Sequence, residues 1–142
     1  MQTLVEVDSR KRLVVPKDIS SRMGWGKGGD STNLLAVLDE PGALKVIRAE
    51  NWREKIEERS HQLVAEGNEE ARLVLEDRYK FFQLGPDRRF ILSEEMQMHL
   101  GIIEEKSTRL YVEFFGSTVR IATSDYRNKR MVKMARMFEG LP

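Results

Sequence analysis

The chain has 142 residues, 24 Lys and Arg against 23 Asp and Glu, a net charge of +1 and a hydrophobic fraction of 40%. That length suits one ordinary domain or two very small ones sharing a core, and the composition is globular rather than disordered. No run approaches the roughly 18 to 20 apolar residues of a membrane span, and the lack of cysteine removes disulfides, thiolate nucleophiles and Cys-type zinc sites.

In chain order, Val5 and Val7 alternate with Glu6, the pattern of a half-buried strand. Three cations follow, Arg10, Lys11 and Arg12, at what reads as a tight connection into the short apolar strand Leu13-Val14-Val15. An ordinary turn here uses Asn-Gly or Asp-Gly, so the charge itself calls for a reason. Pro16 opens a short helix, Ile19 and Met23 share one of its faces, and Gly24 stops it. "GWGKGGDST", Gly24 to Thr32, follows a helix and leads into a strand. It therefore reads as a flexible connector and not as a phosphate loop, which needs Gly-Lys-Ser/Thr at a helix start. Leu34–Leu38 and Leu44–Arg48 form a hairpin around Pro41-Gly42. From Glu50 to Arg78 the pattern is helical, with a break at Gly67-Asn68 and nine acids against five bases. Met131, Met134 and Phe138 make a stripe on a final basic helix, an expected packing or subunit-contact surface rather than a lipid-binding one.

The chain repeats itself. A shift of 77 places Arg12-Leu13-Val14-Val15 on Arg89-Phe90-Ile91-Leu92, Ile19 on Met96, and Met23-Gly24 on Leu100-Gly101. "LYVEFFGSTVRIA" repeats the hairpin, and Trp52 meets Tyr126. Each half reads as strand, basic turn, strand, short helix, hairpin, longer helix. The expected units are 1–75 and 76–142, each a repeat with its helix. About 50 sheet-forming residues per half cannot bury a core alone, so the two are expected to close into one shared α+β barrel, pseudo-twofold, with long outer helices.

"DSRKRLVVP", Asp8 to Pro16, resembles the Asp-Ser-Lys-Gly-Arg-Leu-x-Val-Pro signature of the SpoVT/AbrB-type swapped-hairpin domains. Together with the tandem copies and acidic middle helices, the chain from about Thr3 to Arg130 resembles MraZ, a regulator family associated with the bacterial division and cell-wall gene cluster. The resemblance implies a cytoplasmic, nucleoid-associated, ring-forming transcriptional regulator whose Asp-x-x-x-Arg turns face double-stranded DNA. Asp8 and Arg12 carry the motif in the first copy and Arg89 carries its arginine in the second. Lys11 and Arg88 stand where the family has glycine, and Gly85 stands where it has aspartate. A left-handed backbone costs a lysine about 1–2 kcal/mol relative to glycine, which predicts a rebuilt turn. Asp87 is placed to substitute in part, but its spacing to Arg89 is wrong for the same geometry as Asp8.

The expected DNA contacts are Arg10, Lys11, Arg12, Lys17, Arg22, Arg88 and Arg89, neutralising phosphates with one arginine reaching a guanine edge, while Asp8 structures the turn. The competing reading of the first turn is a solvated loop with an arginine paired to Asp8. His61 and His99 lie in different copies without ligand-spaced partners, so no metal or other cofactor is expected. No nucleophile or acid–base pair converges, and an enzyme acting on a small molecule is not expected. Other classes consistent with the sequence are an oligomeric scaffold without specific DNA binding and an antitoxin-like regulator with a protein partner.

Overall fold

The short apolar runs and the glycine stops become elements where the pattern places them. The computed structural model describes residues 2–102 and 108–142. It is an α+β chain with strands β1 (Gln2–Val7), β2 (Arg12–Val14), β3 (Thr32–Val37), β4 (Ala43–Arg48), β5 (Tyr79–Leu84), β6 (Arg89–Ile91), β7 (Thr108–Phe115) and β8 (Thr118–Ala122). The helices are α1 (Lys17–Met23), α2 (Trp52–Ala65), α3 (Glu69–Arg78), α4 (Glu94–Leu100) and α5 (Ser124–Met134). Side-chain caps open several of them: Ser93 Oγ accepts the Met96 N–H at 3.2 Å, Asn68 Oδ1 that of Ala71 at 3.2 Å, and Thr123 Oγ1 that of Tyr126 at 3.1 Å. Gly24 and Gly101 end α1 and α4 at φ 70° and 68°, a left-handed step that glycine takes without steric cost.

Six strands form one antiparallel sheet in the order β1-β7-β8-β4-β3-β5, and β2 pairs with β6 in a separate two-stranded ribbon. Both sheets mix strands of the two halves: in the large one β7 and β8 of the second half lie between β1 and β4 of the first, and β4 and β3 of the first between β8 and β5 of the second. Exchanging each strand for the one four places along maps the order onto itself, and the register follows. Val7 opposite Thr108 maps onto Leu84 opposite Thr32, and Gln2 opposite Glu113 onto Tyr79 opposite Val37. In the ribbon, Arg12 opposite Ile91 maps onto Arg89 opposite Val14, while Leu13 opposite Phe90 maps onto itself. The pseudo-twofold axis therefore runs through that central pair.

The core lies between one face of the large sheet and a cap made of the ribbon, α1 and α4. Leu13, Val15 and Ile19 meet it from the first half, and Phe90, Leu92 and Met96 from the second, against Leu34, Leu44, Leu110 and Ile121 of the sheet. These are the repeat-equivalent positions named by the 77-residue shift. The barrel expected from the repeat differs in one respect: the six-stranded sheet is open, with β1 and β5 at its edges. One backbone bond closes each turn mouth, Asp8 N to Arg12 O at 3.1 Å and Gly85 N to Arg89 O at 2.9 Å. Beyond it β2 leaves β1, and β6 leaves β5, to pair with each other. No ladder then joins ribbon to sheet among the described residues.

The outer face of the sheet carries the long helices by different means in the two halves. At one register position the first half has Val37 and the second has Glu113, 6% and 5% exposed. Arg130 of α5 grips the Glu113 carboxylate with both terminal nitrogens at 2.7 and 2.6 Å, and Arg127 stacks 4.0 Å from the centre of the Tyr111 ring. The carboxylate raises the Arg130 pKa above its ordinary value. Arg130 thus serves packing.

Because removing one partner strands the other charge, Glu113→Ala is expected to cost about 2–3 kcal/mol, less than for a fully buried pair because water still reaches Arg130. Denaturant melts of Glu113→Ala, Arg130→Ala and the double variant measure this. A purely additive double variant would show that the pair does not hold α5.

Candidate nucleic-acid interface

Each basic turn is a three-residue hairpin loop. In the first, Lys11 N donates to Asp8 O at 3.0 Å, and in the second Arg88 N donates to Gly85 O at 2.9 Å. Such a loop ends in a left-handed residue. Lys11 and Arg88 occupy that position at φ 61° and 65°. The turn is therefore kept rather than rebuilt, with backbone strain at both cations. The ladder of the ribbon and the bonds Val15 N to Arg88 O at 2.9 Å and Leu92 N to Lys11 O at 2.8 Å hold both loops in place.

Asp8 organises the first loop. Its Oδ1 accepts the N–H groups of Arg10 and Arg12, each at 2.9 Å, and its Oδ2 accepts Arg12 Nε at 2.7 Å. The backbone N–H of Arg12, with its guanidinium and the Arg10 N–H, holds the Asp8 carboxyl below its ordinary 3.8. In the second loop Asp87 does the same from a different place. Its Oδ1 accepts Arg89 N at 3.3 Å, and Oδ2 lies 3.6 Å from Arg89 Nε. A Cβ on Gly85 would stand 2.8 Å from Asp87 Oδ1, so the carboxylate fills the space that a side chain at 85 would take. Asp87 thus partly substitutes for Asp8, as its spacing allows, with a contact that is longer, looser and of different geometry.

The predicted cations divide into groups. Leu13 and Phe90 are buried at 0% and 6%, so strand alternation puts Arg12, Val14, Arg89 and Ile91 on the outward face of the ribbon. Arg12 and Arg89 are diagonal neighbours there, roughly 7–8 Å apart across the strands. Arg10 is exposed at the first loop, and Lys11 is half-buried beside it. Lys17 follows Val15, whose N–H bonds Arg88, so it stands beside the second loop and not the first. Arg22 lies at the far end of α1, 5.9 Å from the Phe114 ring centre. Arg88 turns its Nε to Val15 O at 3.1 Å, a structural bond. Sequence reasoning missed the exposed apolar partners of the arginines, above all Ile91 at 65% exposure, although the alternation of Arg89-Phe90-Ile91 carries that signal.

His61 is exposed on α2, and His99 Nε2 lies 2.9 Å from Ala43 O. No group of His, Asp and Glu able to hold a metal occurs among the described residues. No described helix is long and apolar enough to cross a membrane. No family model matches the chain, and no curated protein matches it.

Two outcomes follow from the loop geometry. Followed by NMR, the Asp8 carboxyl should titrate below 3.8 and rise toward that value in Arg12→Gln. Since the folded pKa is the lowered one, the stability it lends is full above about 3.8 and fades as pH falls through the folded value. An unshifted midpoint would remove Asp8 as the organiser of the loop. Glycine at 88 relieves about 1 kcal/mol of left-handed strain. Arg88→Gly should nevertheless come out near zero, because the lost Val15 bond offsets that relief. A thermal melt in which Arg88→Gly keeps the whole gain would contradict this.

Proposed function

We propose that the chain is a DNA-binding transcriptional regulator of the MraZ kind, a tandem swapped-hairpin protein that works as a ring-shaped homo-oligomer on the nucleoid. The observation that supports it best is the outward face of the β2–β6 ribbon, where pseudo-twofold pairing puts Arg12 and Arg89 on one surface with a basic loop at each end. A two-stranded ribbon is one of the shapes that the DNA major groove admits, and arginine reads guanine O6 and N7 with two parallel bonds. Arg10, Lys11 and Lys17 flank that surface as phosphate partners, and Asp8 and Asp87 each fix an arginine through its Nε. The exchange of strands between halves supports the swapped-hairpin reading of the fold. A single ribbon offers few contacts. Several displayed together on one assembly gain through effective concentration.

A second reading, an oligomeric scaffold without specific DNA binding, draws on the same pairs. Asp8 and Asp87 partly neutralise the two outward arginines, and the net charge of the chain is only +1.

Binding to mixed genomic duplex fragments, measured between about 50 and 200 mM salt, separates the two. The regulator reading expects a steep log–log dependence, about −0.9 per phosphate contact, multiplied by the number of engaged ribbons. Arg12→Glu with Arg89→Glu should abolish binding while circular dichroism stays unchanged. Arg88 is left intact in this test because its bond to Val15 O is structural. Unchanged affinity in the folded double variant would overturn the DNA reading in favour of the scaffold.

A further inference from the structure

The two halves cover equivalent parts of the outer sheet face with different chemistry. In the second half the Glu113 carboxylate stands there, and Arg130 of α5 grips it. In the first half Val37 takes the place of Glu113. With Trp52 matched to Tyr126, Ile56 of α2 takes the place of Arg130. Neither α2 nor α3 buries a residue, and a groove of about 450 Å³ remains between them and the sheet. Sites for small molecules run from about 300 to 1,000 Å³.

The floor and walls of the groove are apolar. Leu35 and Val37 of β3, 1% and 6% exposed, lie beside the half-buried Ile47 of β4. Ile56 and Leu75, both half-buried, line it from α2 and α3, and Trp52 stands 45% exposed at the start of α2.

Its charge has one sign. Lys45, Lys55, Arg59 and Arg78 line the groove, and its described lining includes no Asp or Glu. None of the four is in an ion pair among the described residues. The surroundings do not account for this, because Glu50 to Arg78 carries nine acids against five bases, and three of those five are in the groove. Strand register orders the site. Val37 lies opposite Lys45 on one side and Tyr79 on the other, and Leu38 N bonds Arg78 O at 2.8 Å. Lys45 and Arg78 thus share one end of the groove. The other end has Leu35 opposite Ile47.

We propose that this groove binds an amphipathic anion of the fatty-acid class. Its acyl chain lies on Leu35, Ile47, Ile56 and Leu75, and its carboxylate sits among Lys45, Arg59 and Arg78, in the part that Glu113 plays in the other half. An uncharged apolar ligand would shield these cations from water without pairing them, which is unfavourable. A small ion without a chain would leave the apolar floor uncovered.

Titration calorimetry of the full chain with laurate, dodecyl phosphate and dodecanol tests this. Laurate should bind one per chain and dodecyl phosphate comparably, whereas dodecanol should bind at least about tenfold more weakly, the loss expected without a charged contact. Lys55→Gln with Arg59→Gln changes two exposed helix positions. It should weaken laurate about tenfold while dodecanol binding and circular dichroism stay unchanged. Ile56→Trp, which fills the groove without altering charge, should exclude laurate and dodecanol alike. Equal affinity for laurate and dodecanol overturns the proposal, as does unchanged laurate binding in either folded variant. A laurate affinity that falls as the chains self-associate would assign the groove to a second copy and overturn it too.

Discussion

The pairing of β2 with β6 through Leu13 and Phe90 is the constraint on which the remaining architecture turns. Each strand is three residues long, too short to persist alone, and each belongs to a different half. Their side chains on the axis are almost wholly removed from water, and they close the core over the large sheet. Burying side chains of this size is worth about 1.5–3 kcal/mol each, so neither half gains that energy without the other. Folding is thereby tied to strand exchange. The same pairing holds both basic loops in fixed positions and sends their arginines outward.

Local geometry gives arginines of this chain different tasks, and three of them stand out. Arg12 and Arg89 stand on a surface strand and meet carboxylates through Nε, which orients the guanidinium while water still reaches it. Arg88 occupies a left-handed position and spends its Nε on a backbone carbonyl of the opposite half. Arg130 lies against a carboxylate that is 5% exposed, where a two-pronged contact offsets the desolvation of Glu113. Of these, the first kind keeps its charge on the outward face, in reach of solvent. Counting basic residues along the sequence gives all three equal weight.

The pseudo-symmetry is strict in backbone and loose in side chain. Loops, glycine stops and register repeat, because hydrogen-bond geometry admits few solutions for a three-residue turn or a short helix end. Side chains on the outer face of the sheet have no such constraint. Val37 and Glu113 share a register position, yet one offers an apolar seat and the other an ionic one. The two flanks of the molecule have diverged into an acidic helical hairpin and a basic helix, which gives the chain two unlike surfaces on a nearly symmetric frame.

Much of this fold was legible in the sequence, since local patterns decide it. Val5-Glu6-Val7, the Pro16 helix start, the Gly24 and Gly101 stops and the break at Gly67-Asn68 each follow from backbone sterics or from period alone. The 77-residue shift was legible too, and with it the core positions Leu13, Ile19, Phe90 and Met96. The fate of individual charges was not. Asp87 reaches Arg89 because Gly85 leaves room for it, and Lys17 neighbours the second loop because the ribbon is antiparallel across halves. Glu113 reads as a surface strand residue until α5 covers it with Arg130. The sequence by itself determined the elements and their repeat, because those depend on steric and hydrophobic patterns within a few residues. Only the tertiary structure decided which cations are outward and which are spent inside, because that depends on distant partners, 73 positions away for Arg88, brought together by the strand exchange.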